Sequence, residues 1–98
     1  MYMIIHSTTR PGTRTQQLPD VVAHSDYRSM LVGKLCDEVE SILAPGARLY
    51  ARVPGEGETR IEPPNNMYAV VAAIDRGCDG VTVELPGGYR ELFSVVEV

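Results

Sequence analysis

The last third of the chain, residues 67–98, places the strongest constraint on its fold. Residues 67–74 form an apolar run with β-branched side chains, and residues 81–85 alternate apolar and polar side chains. The short sequences between the runs, Gly-Cys-Asp-Gly and Pro-Gly-Gly, are typical of tight turns. Residues 89–98 follow as a third strand-like run that ends apolar. This pattern predicts three antiparallel strands joined by two turns.

An amphipathic helix is predicted before this region. Its apolar residues recur at helical spacing, with charged residues on the other side; they are Tyr27, Leu31, Leu35, Val39 and Ile42. Ser25 or Asp26 can cap the start, and Pro45-Gly46 ends the helix. Alternatively, the helix begins one or two turns earlier, at Pro19-Asp20. Val21, His24 and Arg28 would then extend the same stripe, and the helical region would cover residues 20–44.

The remaining segments complete a single predicted domain of 98 residues. Residues 2–7 form a short strand candidate, and the polar residues 8–17 are expected to form a mobile loop. Residues 48–53 alternate as a strand. Residues 54–66 are rich in Gly, Pro and Glu and read as a long loop within a β meander over residues 47–98.

The charges are unevenly distributed along the chain. The net charge is -4, and residues 36–98 carry five Arg against eleven acidic residues. Nucleic-acid binding needs clustered basic residues, so the acidic β half argues against it. No apolar run approaches the roughly 18 residues of a membrane span. A cytoplasmic protein with free thiols at Cys36 and Cys78 is the expectation.

From Pro45 onward the chain resembles the small SH3-like β-barrels. The resemblance covers residues 45–98 and is carried by PGARLYARV, a Gly/Pro-rich loop, then MYAVVAAI, VTVEL and YRELFSVVEV. It implies a barrel, but no specific family and no ligand. The alternative is an α+β domain in which the N-terminal strand joins an antiparallel sheet of four to five strands, with the helix packed across one face.

Metal and cofactor chemistry is not expected. The candidate metal ligands are His6, His24, Cys36 and Cys78, and none of them lies at a chelating spacing. One enzymatic alternative remains, a small hydrolase-like protein with His6 or His24 as the acid–base group and Arg28 as an anion-binding residue. The structural reading of these histidines, a strand-end and a helix-rim position, is the simpler one.

The aromatic and arginine residues of the β half are the candidate binding residues. Tyr50 and Arg52 lie on the polar face of their predicted strand, and Tyr89 and Arg90 follow the Gly-Gly turn. Tyr and Arg are enriched in binding hot spots. Glu58 and Arg60 extend the set into the long loop. The simpler reading is an ordinary solvent-exposed strand face.

The sequence therefore predicts a non-enzymatic interaction or ligand-binding module, such as an accessory or inhibitory protein. Its partner would be a protein or a small molecule, with neither nucleic acid nor membrane involved. The apolar C-terminal strand, placed at a sheet edge, also predicts a homodimer. A third alternative is weak nucleic-acid binding through Arg10, Arg14 and Arg28.

Overall fold

The computed structural model describes residues 1–12, 19–61, 70–72 and 78–98. These residues form one long helix and six strands, in the order β1 (Tyr2–Thr9), β2 (Asp20–Ser25), α1 (Arg28–Ile42), β3 (Arg48–Val53), β4 (Gly57–Ile61), β5 (Gly80–Glu84) and β6 (Arg90–Glu97). The described part of the chain is thus mostly β, and the predicted α+β class describes it only loosely.

The strands form one open antiparallel sheet in the order β2-β1-β6-β5-β3-β4. An antiparallel sheet with a helix on one face was one of the two predicted alternatives, although the sheet has six strands rather than four or five. The first and last strands are neighbours along their whole length, from Tyr2 opposite Glu97 to Thr9 opposite Arg90. β6 is therefore an interior strand, and the prediction that the C-terminal strand is a sheet edge is wrong.

One face of the sheet, here called the inner face, forms the core with α1. Side chains alternate along a strand, so residues paired across strands share a face. The register puts Phe93 of β6 opposite His6 of β1 and Val81 of β5, and Val81 opposite Ala51 of β3. The fully buried side chains of this face pack against the buried side chains of α1. The sheet contributes Ile4, Leu49, Val81, Val83 and Phe93, and α1 contributes Leu31, Leu35 and Val39.

The predicted stripe of α1 is correct at its centre and wrong at its start. Leu31, Leu35 and Val39 are buried, together with Cys36. Tyr27, however, is 68 % exposed and is itself the N-cap residue, with no side-chain cap. Ser25 instead accepts a hydrogen bond at its Oγ from the Tyr27 amide, 3.0 Å away. The chain therefore leaves β2 through a side-chain-stabilised bend before the helix begins.

Residues 20–25 form strand β2, so the predicted helical region 20–44 is wrong over its first turns. The side chains of Val21 and His24 fit a helical stripe by spacing alone. Consecutive β-branched residues at 21 and 22 favour a strand, and pairing with β1 satisfies the backbone. The pairing contains a bulge at Ile4/Ile5, where the register shifts.

Residues 57–61 form strand β4, so the prediction of one long loop over residues 54–66 is wrong. Pro54 and Gly55 form the turn between β3 and β4, and the amide of Glu56 donates to the carbonyl of Val53 at 3.0 Å. Gly55 has a φ of 82°, which the third position of a type II turn requires. The strand went unrecognised because its side chains are polar, as an exposed edge allows.

Two further predictions fall partly outside the described residues. Within the predicted strand 67–74, residues 70–72 are helical and the others lie outside the described part. A short apolar run cannot be assigned to strand or buried helix by periodicity alone. Of the predicted mobile loop 8–17, residues 8 and 9 belong to β1, whereas residues 13–17 lie outside the described part.

Both cysteines are free and buried in the core. This corrects the view of Cys78 as an exposed turn residue, because only 5 % of it is exposed. Burial raises the pKa of the Cys36 thiol, and the carboxylates of Asp37 and Glu40 raise it further. Cys36 therefore stays neutral at physiological pH and makes a poor nucleophile.

We expect Cys36 to react slowly with 5,5′-dithiobis(2-nitrobenzoate) in a Cys78→Ser variant at pH 7. After unfolding in guanidinium, Cys36 should react with the reagent at the normal rate of an exposed thiol. Because the folded pKa is raised, the unfolded thiol ionises first as the pH rises. Stability should hold below about pH 8.5, the ordinary thiol pKa, and fall above it.

The Cys36→Ala, Cys78→Ser double variant is the matched control for this measurement. It should show no reaction and a smaller loss of stability at alkaline pH. A native Cys36 that reacts as fast at pH 7 as the unfolded chain would contradict a buried, neutral thiol.

Candidate binding face

The face of the sheet opposite α1, here called the outer face, carries most of the predicted binding residues. The strand register aligns them in rows across the sheet. One row runs Leu92, Thr82, Tyr50, Arg60; a second runs Arg90, Glu84, Arg48; a third runs Ser94, Gly80, Arg52, Glu58. Three of the candidate binding residues, Tyr50, Arg52 and Arg90, thus share the outer face.

Arg52 spans three strands on the outer face. Its Nη1 donates to Thr82 Oγ1 at 3.2 Å, and its Nη2 donates to the Phe93 carbonyl at 2.5 Å and to Ser94 Oγ at 2.6 Å. Gly80 stands between Arg52 and Ser94 in the same row, and its missing side chain leaves room for the guanidinium. Three of the five N–H donors of Arg52 are thus engaged within the sheet, and these contacts give the side chain a structural role.

Tyr50 lies at the centre of the outer face, beneath a guanidinium. Cζ of Arg90 is 5.7 Å from the Tyr50 ring centroid, a cation–π distance. Arg90 also bonds the carboxylate of Glu58, so β6 is tied to β4 across β5 and β3. Glu84 is 3.9 Å from both Arg90 and Arg48 and lies between them. The outer face therefore carries alternating charges around one aromatic ring.

The cations of the outer face differ in how much of their charge is compensated. Arg90 is bonded to Glu58, whereas the Arg48 side chain is 56 % exposed and meets Glu84 only at 3.9 Å. Arg60 is exposed and makes no ion pair among the described residues. Arg48 and Arg60 flank Tyr50 and are the two cations best able to meet an external carboxylate.

Tyr89 does not belong to this group. It lies in the turn before β6, where its carbonyl accepts from the Leu85 amide at 2.7 Å, and it is 45 % exposed. Tyr89 has no partner in the β5–β6 pairing and so lies outside the rows of paired residues.

The histidine candidates occupy separate places. His6 stacks on Phe93 with ring centroids 4.6 Å apart and contacts the carboxylate of Glu91, whose Oε2 also accepts from Thr8 Oγ1 at 2.7 Å. His24, opposite Met3 in the β1–β2 pairing, lines a cleft of about 460 Å³ against α1. His6 lies three residues after Met3 along β1, and this places the two histidines roughly 10 Å apart at the rise of an extended strand.

Arg28 is not among the residues that line the cleft beside His24. The cleft is lined by residues of β2 and α1 and includes Lys34 and Asp37. Within the described residues, no group of three or more His, Cys, Asp or Glu side chains could hold a metal ion.

The proposed nucleic-acid residues are also dispersed. Arg10 follows the end of β1 at Thr9, whereas Arg28 follows β2, whose Ser25 pairs with Tyr2 at the other end of β1. These ends are roughly 23 Å apart at the rise of an extended strand. Arg14 lies outside the described residues. In the part of the chain that is described, no helix is long and apolar enough to cross a bilayer.

Several residues that build the outer face escaped the sequence reasoning. Thr82 is fully buried although it lies on this face, because Arg52 donates to it. Glu84 and Ser94 are single polar residues within strands, and their roles follow only from the register. The Gly at the start of β5 is the one signal in the sequence, since a glycine there often marks close approach of another group.

Comparison with protein-family models, with curated proteins and with solved structures gave no match for this chain. The resemblance of residues 45–98 to the SH3-like barrels therefore stays a prediction.

A glycine substitution at position 80 tests the packing of the outer face. A Cβ at Gly80 would collide with the Arg52 guanidinium and with the Phe93 carbonyl. We expect Gly80→Ala to destabilise the protein by about 1–3 kcal/mol, the usual cost of overpacking. The measurement is urea unfolding followed by circular dichroism.

Gly33→Ala is the matched control. Gly33 lies within α1, and a Cβ there would meet nothing within 4 Å. The same change should stabilise the protein by about 0.5–1 kcal/mol, because alanine is the better helix former. A Gly80→Ala protein as stable as the wild type would show that Arg52 does not depend on this space.

Proposed function

We propose that this protein is a small non-catalytic interaction module whose outer sheet face binds an acidic surface of another protein. The observation that carries the proposal is the placement of Tyr50 between Arg48 and Arg60, on the side of the sheet that α1 does not cover. Tyr and Arg supply much of the energy of protein interfaces. An accessory or inhibitory role fits a domain whose function is to occupy a partner's surface.

The chemistry of the partner follows from the charges of the face. Arg52 donates three hydrogen bonds within the sheet, and Arg90 is bonded to Glu58. The exposed guanidinium groups of Arg48 and Arg60 are therefore the groups that an incoming carboxylate would meet first. The ring of Tyr50, half-buried beneath Arg90, would supply an apolar contact between them.

A rigid face lowers the cost of binding. The bonds of Arg52 to β5 and β6 hold three strands together directly beside Tyr50. Side chains that are already ordered lose little conformational entropy on association. The outer face would thus bind as a preformed surface rather than as a loop that orders on contact.

The test is a capture experiment with three immobilised proteins: the wild type, the Arg48→Ala, Tyr50→Ala double variant, and Arg28→Ala. Each immobilised protein is incubated with a lysate of the cells that carry its gene, and the retained proteins are identified by mass spectrometry. The double variant should lose the partner, and its dissociation constant for the purified partner should rise by about 30-fold or more, as expected for a hot spot.

Arg28→Ala is the matched control, since it removes an exposed arginine from the start of α1, away from the outer face. It should retain the same partner with unchanged affinity, and higher salt should weaken wild-type binding. Equal capture by the wild type and the double variant would refute the outer face as the binding surface. Loss of capture in Arg28→Ala alone would direct attention to the helix side instead.

A further inference from the structure

Strand β4 forms a regular and exposed edge of the sheet. It pairs with β3 over five consecutive residue pairs without a bulge, and no described strand pairs with its other side. Residues 57–60 are all exposed. Such an edge leaves backbone donors and acceptors available to another strand.

The opposite edge of the sheet is different. β2 pairs with β1 through a register shift at Ile4/Ile5. A bulge increases the local twist and is one of the devices that protect a sheet edge from pairing. β4 has no such irregularity, so it is the edge better suited to accept a further strand.

The sequence of β4 is complementary to itself in only one symmetric antiparallel register. In an antiparallel pair, the N–H and C=O groups of two opposite residues both point toward the other strand or both point away from it. In a symmetric dimer, two opposite residues are therefore an even number of positions apart in the sequence, and the two-fold axis passes through the residue midway between them. An axis at Thr59 places Glu58 of each copy opposite Arg60 of the other copy. An axis at Glu58 or at Arg60 would place like charges opposite each other. Opposite charges at paired positions stabilise a sheet, and like charges destabilise it.

The ion pairs already present on the outer face agree with this arrangement. Glu58 is bonded to Arg90 within its own chain, and Arg60 makes no ion pair among the described residues. In the Thr59-centred register each Glu58 would lie between its own Arg90 and Arg60 of the second copy. The uncompensated cation of each chain thereby gains a carboxylate.

We propose that two copies of this protein associate through β4, antiparallel and centred on Thr59, to form one sheet that continues across the dimer axis. The Glu58–Arg60 pairs set the register. A contact limited to a five-residue strand lies below the size of stable permanent interfaces, so the dimer dissociates in the micromolar to millimolar range. The outer faces of the two copies then lie side by side.

The test is sedimentation equilibrium of the full chain over a range of protein concentrations, at low and high salt. The wild type should show a monomer–dimer equilibrium that salt weakens. Arg60→Glu creates two Glu–Glu oppositions, and Glu58→Arg creates two Arg–Arg oppositions. Each variant alone should dimerise at least about tenfold more weakly than the wild type.

Restoring complementarity should restore association. The Glu58→Arg, Arg60→Glu double variant should regain the wild-type dissociation constant. An equimolar mixture of the two single variants should form a heterodimer, because each Glu then opposes an Arg. Arg28→Glu, with the same charge change at the start of α1, should dimerise like the wild type.

Circular dichroism of every variant checks folding. If Glu58→Arg unfolds through loss of its bond to Arg90, the comparison of Arg60→Glu with Arg28→Glu still decides the question. A wild type that stays monomeric at millimolar concentration, or an Arg60→Glu protein that dimerises as well as the wild type, overturns the proposal. These outcomes are independent of the Arg48 and Tyr50 capture experiment, because neither of those residues lies on β4.

Discussion

The pairing of β1 with β6 is the interaction on which the rest of the structure depends. Without it, the described strands would separate into a two-stranded ribbon, β2-β1, and a four-stranded sheet, β6-β5-β3-β4. A two-stranded ribbon is marginal on its own. The pairing joins residues at opposite ends of the chain, from Tyr2 with Glu97 to Thr9 with Arg90. The chain loses the entropy of closing this long loop before the contacts between β1 and β6 can stabilise it. A topology with such distant contacts therefore folds slowly.

The joined sheet creates two faces with different tasks. The inner face gains its stability from burial of Ile4, Phe93 and their neighbours beneath α1. On the outer face, polar groups are close enough to the sheet to lose water, so they need partners. Arg52 meets this need by reaching over Gly80 to β6, and Arg90 meets it through Glu58. Arg48 and Arg60 are exposed, and they are the groups from which a binding function can be argued.

The success of sequence reasoning differed from one element to another. The alternation of residues 48–53 predicted β3 correctly, and the turn at Pro86-Gly87-Gly88 located the β5–β6 hairpin. Residues 20–25 fit a helical stripe by coincidence of spacing, and only their pairing with β1 makes them a strand. Residues 57–61 carry no apolar alternation, although Pro54-Gly55 marks the hairpin before them. The alternation also placed Tyr50 and Arg52 on one face of their strand, but whether a guanidinium is exposed or bonded depends on its neighbours across the sheet.

The sequence by itself determined the amphipathic character of α1, the positions of the glycine-containing turns and the alternation that gives β3 an inner and an outer face. These are local properties, because they depend on residues within a few positions of one another. Only the tertiary structure decided that the first strand pairs with the last, that no described strand pairs with the second side of β4, and that Arg52 is bonded whereas Arg60 makes no ion pair among the described residues. Those properties depend on strand order and register, which are set by contacts between residues far apart in the chain.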